Sequence, residues 1–243
     1  MKWIYGRQDW KTLERGLENC YLLANGLGGF SSLTMTGAVA RNDHSIFMAC
    51  TKAPNHRINM IHRMKEELDI GESKYVLSTQ EFADGTKEEG YRYLTEFSFE
   101  TLPSWRYLIN GVEIEKEIVM ARGSNQIAVN YHLKNRGQKE GVLCVTPFFQ
   151  FEPKGEDLKE GKIFSRQEQK ITDGKYTLFF ETNGEAEEFQ EKKETYFYRY
   201  DECDGRRENG TASCKIICVE MYGITPNIKI EKFEKAPPTK KSM

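Results

Sequence analysis

Asn25-Gly26-Leu27-Gly28-Gly29-Phe30-Ser31 sets an amide side chain beside three glycines. That density of glycine lets main-chain N–H groups come close to a ligand or to another chain segment. A P-loop phosphate cradle would continue into Gly-Lys-Ser/Thr, whose lysine and hydroxyl hold phosphate and magnesium, whereas this run continues into Phe30-Ser31-Ser32. A dinucleotide fingerprint needs GxGxxG between a strand and a helix. Gly26-Leu27-Gly28-Gly29-Phe30-Ser31 breaks at the last position, and no βαβ rhythm follows. Two readings remain: a structural bend, or a loop whose amides meet a ligand.

Arg41-Asn42-Asp43-His44 forms a polar knot ahead of the apolar Ile46-Phe47-Met48-Ala49. A guanidinium there suits bidentate bonds to a carboxylate. The imidazole either donates to a ligand or anchors the end of the strand. Glu66, Glu67, Glu113, Glu115 and Glu117 are of the right type for acid-base work, but their spacing suits a solvated strand or turn face and singles out no partner. None is assigned a catalytic role. His56 and His62, beside Arg57 and Arg63, read as a solvated basic edge, and His132 as an exposed position. The six cysteines show no CxxC spacing, and the start of the chain carries no signal-peptide pattern. They are therefore expected as reduced thiols, with no metal and no cofactor.

The elements that must position these residues are strands. Asp84-Gly85, Asn110-Gly111, Asp173-Gly174, Asn183-Gly184 and Asn209-Gly210 supply the positive φ angles of hairpin turns. Between turns, residues alternate with period two. In Val112 to Met120 one face carries Val112, Ile114, Ile118 and Met120, interrupted by Lys116, and the other carries three glutamates, the pattern of a half-buried strand. Gly141 to Phe151 is more continuously apolar, as a strand buried on both faces would be. A helix is expected over Asp9 to Asn19, and either a helix or a solvated loop over Glu185 to Thr195. The expected fold is all-β: a large antiparallel β-sandwich with few short helices, one domain over residues 1–230. Glu231 to Met243, with Pro237-Pro238, reads as a frayed tail. With 35 basic and 37 acidic residues and a net charge of −2, the chain has no basic excess for nucleic acid. No window reaches the roughly 18 apolar residues of a membrane span. A cytoplasmic location is expected, with neither nucleic acid nor membrane as partner.

The segment Leu22-Leu23-Ala24-Asn25-Gly26-Leu27-Gly28-Gly29-Phe30-Ser31-Ser32, followed by Arg41-Asn42-Asp43-His44-Ser45-Ile46-Phe47-Met48-Ala49, resembles the start of bacterial and archaeal-type glycogen debranching enzymes. There an L-x-N-G-L-G-G-[YF]-[AS]-S run precedes an R-R-Y-H-G-L-L-V-A-like strand. Ala53-Pro54-Asn55-His56-Arg57, Leu77-Ser78-Thr79-Gln80-Glu81-Phe82, Gly90-Tyr91-Arg92-Tyr93-Leu94 and Pro103-Ser104-Trp105-Arg106-Tyr107 continue the likeness to about Phe151. Asn42 and Asp43 replace the family's second Arg and its Tyr; Arg41 and His44 are the matching positions.

The resemblance implies a galactose-mutarotase-like supersandwich that is not itself catalytic. In the family a separate (α/α) helical barrel carries the amylo-α-1,6-glucosidase carboxylates, and this chain is expected to stop before such a barrel. It further implies two partners, a glycoside hydrolase domain in cis and an α-glucan such as glycogen or a maltooligosaccharide. On that reading Asn25, Gly26, Gly28, Gly29, Arg41 and His44 lie at the rim facing the barrel. Trp105, with Tyr91, Tyr93 and Tyr107, either stacks on glucose rings or belongs to the core. The alternatives are a stand-alone glucan-binding module and a mutarotase-like sugar enzyme using His44 or His132.

Overall fold

The computed structural model describes residues 1–137, 140–206, 209–220, 227–230 and 233–235. Period-two patterning becomes two large antiparallel sheets. The seven-stranded sheet runs in the order Trp3–Gly6, Leu94–Phe99, Pro103–Ile109, Val112–Met120, Ile127–Asn135, Asn227–Ile230, Glu181–Thr182. The eight-stranded sheet is built around His56–Ile70 and Gly141–Pro153. Ser45–Lys52, Phe30–Ser32 and Leu23–Ala24 lie to one side, and Asn209–Glu220 and Glu185–Phe197 to the other. The fold is an all-β sandwich, with short helices at Leu13–Leu17 and Arg199–Cys203.

The interior is sorted by alternation. Along Val112–Met120 every second residue is buried, and Lys116 falls on the buried side. Its ammonium donates to Glu66 Oε1 from the facing sheet, and Tyr131 Oη donates to the same oxygen at 2.9 Å. Glu66 is thus a core carboxylate and not part of a solvated face. An inward lysine cannot keep its charge in an apolar layer without such a partner.

The middle of His56–Ile70 is covered on both faces. Its outer side lies under the hairpin formed by Thr79–Glu81 and Lys87–Glu89 and under Tyr196 and Tyr198. His62 is therefore fully buried, contrary to the solvated edge expected from its neighbours. Gly141–Pro153 is buried as its composition predicts: Phe164 packs on Phe151 at 5.2 Å and Phe149 at 6.1 Å. A small sheet of Ser165–Gln167, Lys170–Thr172, Tyr176–Phe179 and Phe233–Lys235 follows.

Four local expectations change. Glu185–Phe197 is a strand, because its ladder with Asn209–Glu220 outweighs a charge pattern that favours helix or loop. Asn209-Gly210 opens that partner strand, and Asn183-Gly184 links Glu181–Thr182 of one large sheet to Glu185–Phe197 of the other, so neither turns a hairpin. The helix expected over Asp9 to Asn19 shortens to Leu13–Leu17, capped by Thr12, after a 3-10 turn at Arg7–Trp10. Phe233–Lys235, inside the expected tail, pairs with Tyr176–Phe179. Pro237-Pro238 lies outside the described residues.

Candidate functional site

Asn25 is fully buried at the base of the glycine loop. Its Oδ1 accepts from Leu27 N–H at 2.9 Å and Gly29 N–H at 3.0 Å. Its Nδ2 donates to Ser124 O at 2.9 Å and Asn125 Oδ1 at 3.1 Å. Asn125 in turn ties to Cys50 through both side-chain atoms, accepting from its N–H at 3.0 Å and donating to its carbonyl at 2.7 Å. The glycine loop, the turn at Ser124-Asn125 and the strand Ser45–Lys52 are clasped together in this way. Gly26 turns the exposed tip, while Gly28 has φ +101° and sits so near the 53–54 turn that a Cβ would come within 2.3 Å of Pro54 O. No L side chain fits there without moving backbone. A Cβ on Gly29 would come within 2.6 Å of Asn25 Nδ2, and Arg57 Nε donates to Gly28 O at 2.6 Å. The loop's donors and acceptors are largely consumed within the protein.

Arg41 and His44 lie elsewhere. The register pairs Phe30 with Met48 and Ser32 with Ser45, so the glycine clasp meets the far half of Ser45–Lys52 while the Arg41 knot precedes its start. That strand has 8 residues and is roughly 25 Å long at about 3.3 Å per residue, and the structure does not gather the two groups into one rim. Arg41 Nη1 is 2.6 Å from Asp204 Oδ2 and 3.6 Å from Asp201 Oδ1, with its guanidinium over the Tyr200 ring. Asn42 N–H donates to Asp201 Oδ2 at 2.7 Å. The knot thereby latches onto the helix Arg199–Cys203. His44 is buried and accepts Ala40 N–H on Nδ1 at 3.1 Å, the anchoring role. Burial, with the Arg41 charge adding to it, lowers its pKa to about 4.

Trp105 is a core residue. Its indole N–H donates to Met35 O at 2.8 Å, Tyr21 and Phe97 pack on it at 5.4 and 5.2 Å, and the Lys116 ammonium lies over the ring. Fully buried, it offers no face to a sugar. Tyr91 and Tyr107 are buried too, and Tyr93 packs edge-on against Tyr75 at 5.9 Å. His132 is exposed and pairs in register with Glu115, beside a cavity of about 470 Å³ on the outer face of the seven-stranded sheet.

Two features escaped the sequence. The first is an apolar edge: Trp3, Ile4 and Leu22 are 53%, 58% and 63% exposed. Trp3 and Leu22 border a groove that also includes Cys20, Tyr21, Phe97 and Phe99. Cys20 lies close enough to Arg41 for the guanidinium to oppose the upward push of burial on its thiol. The second is a charged cluster around Arg63, which is 1% exposed yet bonded to Glu88 and Glu194. No local signal marked it, because Arg63 lies in His56–Ile70, a strand rich in charged residues; once buried, its guanidinium obliges carboxylates to come from elsewhere in the chain.

These elements define a large antiparallel β-sandwich with a clasped glycine loop. Residues 19–214 match the family described as glycogen debranching enzyme N terminal, and the chain belongs to that family. No curated protein matches it. Among solved structures it is similar to a bacterial glucoamylase complexed with acarbose, with 10% identity and a TM-score of 0.44 over 91% of this chain and 32% of that one. It is also similar to a protein described as a kojibiose phosphorylase from human microbiome, with 10% identity and a TM-score of 0.47 over 98% of this chain and 33% of that one. The chain spans about a third of the length of these proteins. Among the described residues no helix is long and apolar enough to cross a membrane.

Proposed function

We propose that this chain is the accessory sandwich of a glycogen-debranching enzyme. It docks on a glycoside hydrolase domain and helps to hold or shape the α-glucan, and the hydrolytic carboxylates come from that other domain. The observation that carries this reading is the apolar edge. Large apolar side chains gathered at one edge of a globular chain mark an interaction surface, and Trp3 and Leu22 gather there beside Arg41. The clasp supports the same reading, since the motif most like the family's is engaged in fixing two turns to the strand Ser45–Lys52 and leaves little free for chemistry.

A second reading, a mutarotase-like sugar enzyme, draws on the exposed His132 and Glu115 pair. Histidine and carboxylate side by side on an open face are the right types for moving a proton. The two readings separate in one assay: the chain is titrated with glycogen and maltooligosaccharides while bound ligand and released glucose are followed, and anomerisation of free glucose is recorded alongside. Binding without release or anomerisation is expected. Glucose release would overturn the accessory reading, and anomerisation lost in His132→Ala would replace it with the second.

A further inference from the structure

The geometry points to a binding site for a short neutral oligosaccharide in the groove between the hairpin carrying Phe82 and Glu88 and the strand Glu185–Phe197. The inference rests on the glucan reading above and locates the contact. The groove has a volume of about 510 Å³, and Phe82, Thr86, Glu88, Lys192, Glu194 and Thr195 contribute to its lining. That is within the size range of small-ligand sites.

Its floor is built rather than incidental. Arg63 lies beneath it, wholly buried, with Nη1 donating to Glu194 Oε2 at 2.7 Å and Nη2 bonded to Glu88 Oε2. Ser78 Oγ donates to Glu88 Oε2 at 2.9 Å, and Tyr196 Oη to Glu194 Oε2 at 3.2 Å. One oxygen of each carboxylate is therefore fixed from below. The other meets ammonium groups: Glu194 Oε1 is 3.0 Å from Lys192 Nζ, and Glu88 Oε1 is 3.9 Å from Lys65 Nζ. The walls are fixed as well, since Ala83 N–H donates to Thr195 O at 2.9 Å and Phe82 forms a β-bridge with Tyr196. Phe82 is half-buried, its ring backed by the Arg63 guanidinium at 5.3 Å.

Charge selects the ligand class. The lining is balanced in charge, with Asp84, Glu88 and Glu194 against Lys87, Lys192 and Lys193, so an anion or a cation would each give up its hydration for no net attraction. A neutral polyhydroxyl compound faces neither penalty. Its hydroxyls donate to carboxylate oxygens and accept from ammonium groups, and the C–H face of a pyranose fits an apolar ring.

The test is maltotriose binding to the full chain by calorimetry, with amide chemical shifts to map the contact. Phe82→Ala and Thr195→Trp, the latter an exposed position that fills the groove without touching Arg63, are each expected to weaken affinity at least tenfold. Thr195→Trp should keep the wild-type melting temperature, which separates a blocked groove from a damaged fold. Wild-type affinity in Thr195→Trp, with shifts clustered elsewhere, would overturn the groove assignment and leave glucan contact standing. An absence of binding by the wild-type chain would overturn both the groove and direct glucan contact.

Discussion

Asn25 uses both side-chain polar atoms twice, accepting two backbone N–H groups and donating to Ser124 O and Asn125 Oδ1. A buried donor or acceptor left without its partner costs more than the bond was worth. Asn25→Ala is therefore expected to lower stability by about 4 kcal/mol, at roughly 1 kcal/mol for each of the bonds disturbed, as read by urea unfolding. Asn25→Asp should not rescue it, because a carboxylate oxygen would replace the donor that faces Ser124 O. Near-wild-type stability in Asn25→Asp would mean that the Nδ2 bonds contribute little. Lys116 and Glu66 pose a similar question across the sheets. Lys116→Met alone strands a buried carboxylate and should cost about 3 to 5 kcal/mol, whereas Glu66→Met with Lys116→Met should recover most of that loss. A double variant as unstable as the single one would show that the sheets need the ion pair itself.

The strand His56–Ile70 shows how an element turns such residues into a pH response. Asn59 Nδ2 donates to His62 Nδ1 at 2.8 Å, so Nε2 carries the proton toward Tyr198 Oη, also at 2.8 Å. Burial, with His44 and Arg63 adding to it, lowers the His62 pKa to about 3, and His44 is lowered to about 4. Both rings are neutral in the fold but protonate in the unfolded chain near the ordinary value of 6.5. Unfolding therefore takes up protons, and stability falls as pH drops below about 6.5 and continues to fall toward those folded-state values. The expected slope is about 1.4 kcal/mol per histidine per pH unit. Urea titrations between pH 7 and pH 5 should show this slope roughly halved in His62→Gln, and an unchanged slope would remove His62 from the account. The same strand marks the limit of what the sequence could tell. Alternation revealed the half-buried strands such as Val112–Met120, and hydrophobic continuity revealed Gly141–Pro153. Coverage of the outer face of His56–Ile70 comes from a hairpin and from Tyr196 and Tyr198, more than a hundred residues away from it in the latter case, and no local pattern encodes that. His62, Arg63 and Glu66 thus read as exposed, and the groove floor was invisible. The glycine run was legible as a bend, but its distance from Arg41 needed the strand register.

At the scale of the whole molecule, the sandwich offers distinct surfaces: the clasp, the Phe82 groove and the apolar edge of Trp3, Ile4 and Leu22. Trp3–Gly6 ends the seven-stranded sheet and Leu23–Ala24 ends the eight-stranded one. The edge is thus where the two layers of the sandwich come to their ends, and an isolated sheet edge with exposed apolar side chains invites pairing with another chain. If a glycoside hydrolase domain docks there, a charge at the centre of the edge must oppose docking while leaving the sandwich intact, because Leu22 contributes little to the core at 63% exposure. Leu22→Asp is expected to weaken association with a hydrolase domain of the same family, supplied as a separate polypeptide, by tenfold or more, with melting unchanged. Phe82→Ala should leave that association as it was while weakening glucan binding. Equal association for wild type and Leu22→Asp would move docking to another surface, with the clasp tip at Leu27 next to be changed. Loss of association in Phe82→Ala would instead mean that the groove receives the partner domain and not a sugar.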